Sequence, residues 1–188
     1  MTNARGRARR DTRTRSLDAA VQLLGTAGLR ALTHGRVDER AKLPAGSTSN
    51  HFRTRKALVD GVVSHLAHAD LDQVLPTLAA GTAEDVVEGL ATMLERASGP
   101  DRVSTSARLV LFLEGNHDKA IRAALDTNRA MLEDVLVQGL AESGAPDARR
   151  AAQAVTAAYD GLLLHRIARH DTTDPRPVLA LVVHAALP

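Results

Sequence analysis

The sequence predicts an all-α protein: a three-helix amino-terminal domain, a linking helix and a larger carboxy-terminal helical domain. Three observations carry this prediction. Apolar residues recur at i, i+3, i+4 along most of the 188 residues, the spacing that lines one face of an α-helix. No stretch alternates apolar and polar residues as a half-buried strand would. Phe52, Phe112 and Tyr159 are the only aromatic residues, so helix faces rich in Ala and Leu must supply the core.

Taken in order, residues 1–15 hold six arginines and one acid. They have little to bury, which predicts a disordered basic arm over residues 1–14. Such an arm either reaches over an anionic partner or serves as a solubilising tail. Arg15 to Ala27 is the first packed helix, with Leu17, Ala20, Val21, Leu24 and Ala27 at helical spacing. Gly28 closes it, since a left-handed position past a helix end suits a residue without Cβ. Thr33 is placed as an N-cap for a short helix with Val37, Ala41 and Leu43 on its apolar side. Pro44 stops that helix and opens the next. The segment from Ala45 to His51 reads AGSTSNH: a second helix this short buries almost nothing and presents hydroxyls and an amide instead. Phe52 anchors it. This pair has the form of a helix-turn-helix, the second helix being the one that reads DNA.

Thr54 caps a longer helix running to about Leu78, with Leu58, Val62, Leu66 and Ala69 inward. Arg55 and Lys56 lie in its first turn, where cations oppose the helix dipole, which argues that they are kept for a partner. The carboxy-terminal domain opens at Thr82, which forms a box with Asp85. Val86, Leu90, Met93 and Ala97 follow, up to a Gly99-Pro100 stop. Further helices are predicted from Ser104 to Glu114, from His117 to about Ser143 (ended by Gly144 and Pro146), from Ala148 to His170 behind an Asp147 cap, and from Pro177 to Leu187. Domain boundaries are expected at 15–60 and 61–188.

The helix-turn-helix residues, Gly28, Thr33, Val37, Ala41, Leu43, Gly46, Phe52, Arg55 and Leu58, follow the pattern of the TetR family of transcriptional regulators, which the chain resembles over roughly residues 10–65. Three positions depart from it. Lys42 stands where the family usually has Gly, Asp38 where a small apolar residue is usual, and Ser49 where an aromatic is frequent. The resemblance implies a ligand-responsive regulator, most often a repressor, that binds palindromic operator DNA as a homodimer and is released by a small-molecule effector. It implies DNA contacts from Thr33, Arg36, Gly46, Ser47, Thr48, Ser49, Asn50, His51, Arg53, Arg55 and Lys56, with Arg55 on phosphate. Ser47, Thr48, Ser49 and Asn50 are the candidates for base edges, and Asn suits adenine. Asn50 serves equally as a cap or a phosphate donor. An effector cavity is implied in the carboxy-terminal domain, with Met93, Arg108, Phe112, Met131 and Tyr159 either lining it or belonging to plain core. The small and apolar residues of the last two helices, Ala151, Val155, Ala158, Leu162, Val178, Leu181, Val182 and Ala185, either form the four-helix dimer interface that the resemblance implies or close the chain's own core.

Charge is distributed to match. Residues 1–60 carry thirteen Lys/Arg against five Asp/Glu, and the remainder eleven against seventeen, so a basic part attractive to polyanions precedes an acidic one. There is no cysteine, which excludes disulfides, thiolate catalysis and Cys-ligated zinc. No apolar run is long enough to span a membrane and no secretory signal opens the chain, so a cytoplasmic location is expected. No phosphate loop, serine elbow or paired metal signature is present: neither an enzyme nor a cofactor is expected. Two alternatives stand beside the DNA reading: a metal-responsive regulator using His65 and His68, and a helical adaptor that binds protein.

Overall fold

The computed structural model describes residues 2–78 and 82–187. Among them lie nine α-helices and no strand: α1 (Thr2–Ala27), α2 (His34–Arg40), α3 (Ser47–His51), α4 (Arg55–Leu78), α5 (Ala83–Ser98), α6 (Arg102–Glu114), α7 (Lys119–Glu142), α8 (Ala148–Arg169) and α9 (Arg176–Ala186). A single 3-10 turn, Leu29–Ala31, separates α1 from α2.

Helix α1 starts at Thr2 rather than Arg15, so the arm expected to be disordered continues the helix. Arginine and alanine are good helix formers. Once Leu17, Ala20 and Leu24 are packed, each residue added on the amino-terminal side gains a hydrogen bond without a new nucleus.

The chain divides into two compact units. The first takes Met1–Leu66 together with Val103–Asn128. Its core gathers Leu17, Leu24, Leu32, Val37, Leu58 and Val62, and is closed by Ala107, Leu111 and Ile121 from α6 and α7. This differs from a boundary at residue 60. The apolar stripes of α6 and early α7 bury against α1 and α4, and burial decides membership of a unit. The approach is close: a Cβ on Gly25 of α1 would collide with the Val103 carbonyl oxygen.

The second unit takes Ala67–Arg102 and Arg129–Pro188. Helices α5, α8 and α9 pack pairwise around Val86, Leu90, Ala152, Val155, Leu179 and Val183, with Leu140 of α7. The predicted punctuation is present. Thr82 and Asp85 form a reciprocal capping box, Asp147 accepts from the Arg150 N–H, and Gly144 takes a φ of 90° past α7. Arg176 binds Glu88, Glu95 and Asp174, holding the start of α9 to α5.

Two residues assigned to a dimer interface do something else. Ala151 and Val155 are buried within the chain's own second core, because the face of α8 that carries them is the one covered by α5 and α9. Ala158, Leu162 and Val182 are half-buried, while Val178, Leu181 and Ala185 are exposed on α9.

Candidate nucleic-acid interface

The interface is built from α2, a turn and α3. Thr33 caps α2 as predicted, its hydroxyl oxygen accepting from the Arg36 N–H at 3.4 Å. At the other end Lys42 adopts a φ of 53°, the left-handed position usually given to glycine. The Lys42 N–H donates to Glu39 O at 3.1 Å and the Leu43 N–H to Asp38 O at 2.9 Å, the paired bonds of a Schellman ending. Arg15 adds a guanidinium bond to Ala41 O at 2.9 Å. Helix α2 thus stops at Arg40, and α3 begins at Ser47 after Gly46, whose φ is 86°. Pro44 lies in the turn between them, its carbonyl accepting from both the N–H and the hydroxyl of Ser47.

Within α3 the side chains sort themselves by direction. Thr48 is wholly buried, and this removes it from the candidate base contacts. Its hydroxyl donates to Asp38 Oδ1 at 2.5 Å and its N–H to the same oxygen at 2.8 Å. Asp38 Oδ2 accepts the Gly46 N–H at 2.8 Å. Spacing could not separate Thr48 from its neighbours, because the partner that turns it inward is ten residues away. Ser49 and Asn50 are exposed, Ser47 and His51 half-buried. The Ser49 hydroxyl donates to Gly46 O at 2.9 Å, so outward it offers acceptor lone pairs. Asn50 offers an amide donor pair and an acceptor. The His51 imidazole is held below its usual pKa by burial, then by the charges of Arg9 and Arg13.

Phe52 closes the segment with its side chain buried. Its ring lies against Gly61 of α4, where a Cβ would come within 2.5 Å of Phe52 Cε1. Arg13 sits over the same ring at 5.4 Å, and His34 Nε2 lies 2.6 Å from Phe52 O. Asp38, Arg13 and His34 therefore hold this site together, and none was identified from sequence as doing so. Asp38 had a signal, as an acid at a position normally apolar.

Arg36, Arg53, Arg55 and Lys56 are all exposed. Arg55 donates to Leu29 O at 2.9 Å and Lys56 pairs with Asp60 at 2.6 Å. Both contacts are at the surface, where they exchange readily for a phosphate. The chemistry is that of a short outward row of acceptors and one amide, bordered by cations.

The remaining candidates fare differently. Phe112 and Met131 are 61% and 45% exposed, so neither is enclosed in a cavity wall. Each sits on the outer side of its helix. Met93, Arg108 and Tyr159 are half-buried. His65 directs its ring to Asp18, Nε2 to Oδ1 at 2.9 Å. Among the described residues there is no group of three or more His, Asp or Glu side chains placed to hold a metal ion.

Residues 81–188 match the family described as “Tetracyclin repressor-like, C-terminal domain”. Solved structures with similar folds include a member of the TetR family, SCO1917 from Streptomyces coelicolor A3, at 24% identity and a TM-score of 0.73, covering 94% of this chain and 98% of that one. The multidrug binding protein EbrR complexed with ethidium has 24% identity and a TM-score of 0.73, with 94% and 99% covered. A transcriptional regulator from Rhodococcus sp. Rha1 has 18% identity and a TM-score of 0.70, with 93% and 95% covered. No curated protein matches the chain.

Proposed function

The chain belongs to the TetR family of transcriptional regulators, and from that membership we propose that it is a cytoplasmic repressor that binds palindromic operator DNA as a homodimer and leaves it when a small molecule binds. The observation that carries the DNA half is the division of α3 into an inner residue, Thr48, and an outer pair, Ser49 and Asn50. A five-residue helix with its polar residues turned to solvent contributes little to folding. Beside exposed Arg36, Arg53, Arg55 and Lys56 it forms a surface suited to a major groove and its phosphates.

Dimerisation has its own support. Val178, Leu181 and Ala185 share one face of α9 at i, i+3, i+7, and Leu181 is 74% exposed. The opposite face, Leu179, Val183 and Leu187, is already buried. A second apolar stripe on a helix that has filled its own core fits pairing with another copy. Two copies would supply two reading helices for two half-sites.

The effector is proposed to be compact and apolar or amphipathic, since this chain has few aromatic side chains with which to stack a flat ring system. EbrR, complexed in one structure with ethidium and in another with proflavin, is a multidrug binding protein. Those flat aromatic ligands serve as the contrast: this chain should bind them more weakly than compact aliphatic or amphipathic compounds. An effector acts only through its differential affinity for DNA-competent and incompetent states.

Selection from a random duplex library tests the reading. A two-fold symmetric site should be enriched, and affinity for it should fall with salt with a log–log slope of about −5 or steeper, as expected if several cations per chain meet phosphate. Failure to enrich any sequence would overturn it.

A further inference from the structure

We propose that Asp38 is the positioning residue for α3, and that through this role it sets the base selectivity of the DNA surface; the inference rests on the DNA-binding reading above. Helix α3 has one buried residue, Thr48, and the hydroxyls of Ser47 and Ser49 return to its own turn. Apolar packing therefore gives α3 one threonine methyl at its start and Phe52 at its end. Packing of that extent resists removal but does little to fix rotation about the helix axis.

The carboxylate of Asp38 supplies what is missing. It is 4% exposed and reaches α3 from the middle of α2. One oxygen accepts the Gly46 N–H at 2.8 Å; the other accepts both the N–H and the hydroxyl of Thr48, at 2.8 and 2.5 Å. Two backbone points two residues apart are thereby tied to one planar group. With Phe52 held against Gly61 at the far end, Ser49 and Asn50 are fixed between two anchors.

Ser16 looks like a further member of this cluster but is not equivalent. Its Oγ is 3.3 Å from Thr48 Oγ1 and 2.9 Å from Thr12 O. Thr48 has a single hydroxyl proton, and Asp38, which only accepts, takes it. Ser16 likewise has one, and Thr12 O is the nearer acceptor. The contact between the two hydroxyls is thus packing, and the position of α3 depends on Asp38.

Selectivity, more than general affinity, is where this matters. Hydrogen bonds to base edges weaken steeply outside a narrow range of length and angle. Attraction of cations to phosphate is long-ranged and insensitive to sequence. A small rotation of α3 would therefore cost discrimination first.

The test measures affinity for the selected duplex and for a scrambled one, and compares their ratio between variants of the full chain. Asp38→Asn keeps the shape of the side chain but turns an amide NH2 toward one of the two N–H donors. The ratio should fall by about tenfold or more, the scale of one charge-assisted hydrogen bond left unmade, with scrambled-duplex affinity within about twofold. Thr48→Val, which removes only the hydroxyl, should lower the ratio, while Thr48→Ser should keep it and Ser16→Ala should leave it within about twofold. These milder variants decide the matter if Asp38→Asn does not fold. A wild-type ratio in Asp38→Asn, equal losses on both duplexes, or indistinguishable Thr48→Val and Thr48→Ser proteins would overturn the inference while leaving the DNA reading intact. A wild-type chain that cannot tell the duplexes apart would overturn both.

Discussion

At the scale of single residues, the proposed DNA-binding surface assigns its outward groups either to base edges or to phosphate. Asn50 presents a donor pair and an acceptor, so Asn50→Ala should lose about 1–3 kcal/mol of discrimination at one base position per half-site. Arg55 is a point of charge. Arg55→Ala should weaken all duplexes alike and make the log–log salt slope shallower by about one for each phosphate left without its cation. His51 adds a pH dependence whose sign is set by its lowered pKa. Above the ordinary value of 6.5 the ring is neutral folded or unfolded and contributes nothing. Below it the unfolded chain takes the proton first, so folding stability declines as pH drops through the lower folded value. A neighbouring phosphate would favour the imidazolium. DNA affinity should therefore rise over the same interval, and His51→Gln should abolish that rise in titrations from pH 8 to pH 5. Lys42 marks a residue kept at a cost: with its φ of 53°, Lys42→Gly should raise stability by about 0.5–1 kcal/mol in denaturant melts.

Elements show why some features could be read from sequence and others could not. Caps are local. Thr82 with Asp85, and Asp147 ahead of α8, are legible because donor and acceptor lie within a turn. The direction of Thr48 is not local, because it depends on a carboxylate ten positions earlier. Nor is the amino-terminal extension of α1: a polar Arg-rich segment reads as an arm, and it becomes a helix by growing from the packed part beyond Leu17. The stripes on α8 were legible as apolar but not by face, since Ala151 and Val155 look like Ala158 and Leu162 until α5 and α9 are in position. The packing of α4 against the segment after α3 is likewise visible only when assembled. It predicts that Gly61→Ala, forcing a Cβ to within 2.5 Å of the Phe52 ring, destabilises the first unit by about 1–3 kcal/mol, measurable by thermal melting.

For the whole molecule, two cores and an outward apolar stripe follow from how the helices share their faces. Residues of α6 and early α7 join the first core because Ala107, Leu111 and Ile121 bury there, an allegiance that periodicity alone does not reveal. In the second unit, Leu181 has no role in the chain's own core, so Leu181→Glu should leave the fold intact and give a monomer in sedimentation velocity. Such a monomer should hold a full palindrome far more weakly than the dimer, since it engages one half-site at a time.

The predictions about sequence preference depend on the proposal that α3 presents Ser49 and Asn50 to base edges while Asp38 and Phe52 hold it from behind. The most direct measurement is competition binding of the wild-type chain and a Ser49→Ala/Asn50→Ala variant, each to the selected duplex against scrambled DNA. The structure predicts that the variant keeps its affinity for scrambled DNA and loses most of its preference for the selected site. A variant that discriminates as well as the wild type would contradict it.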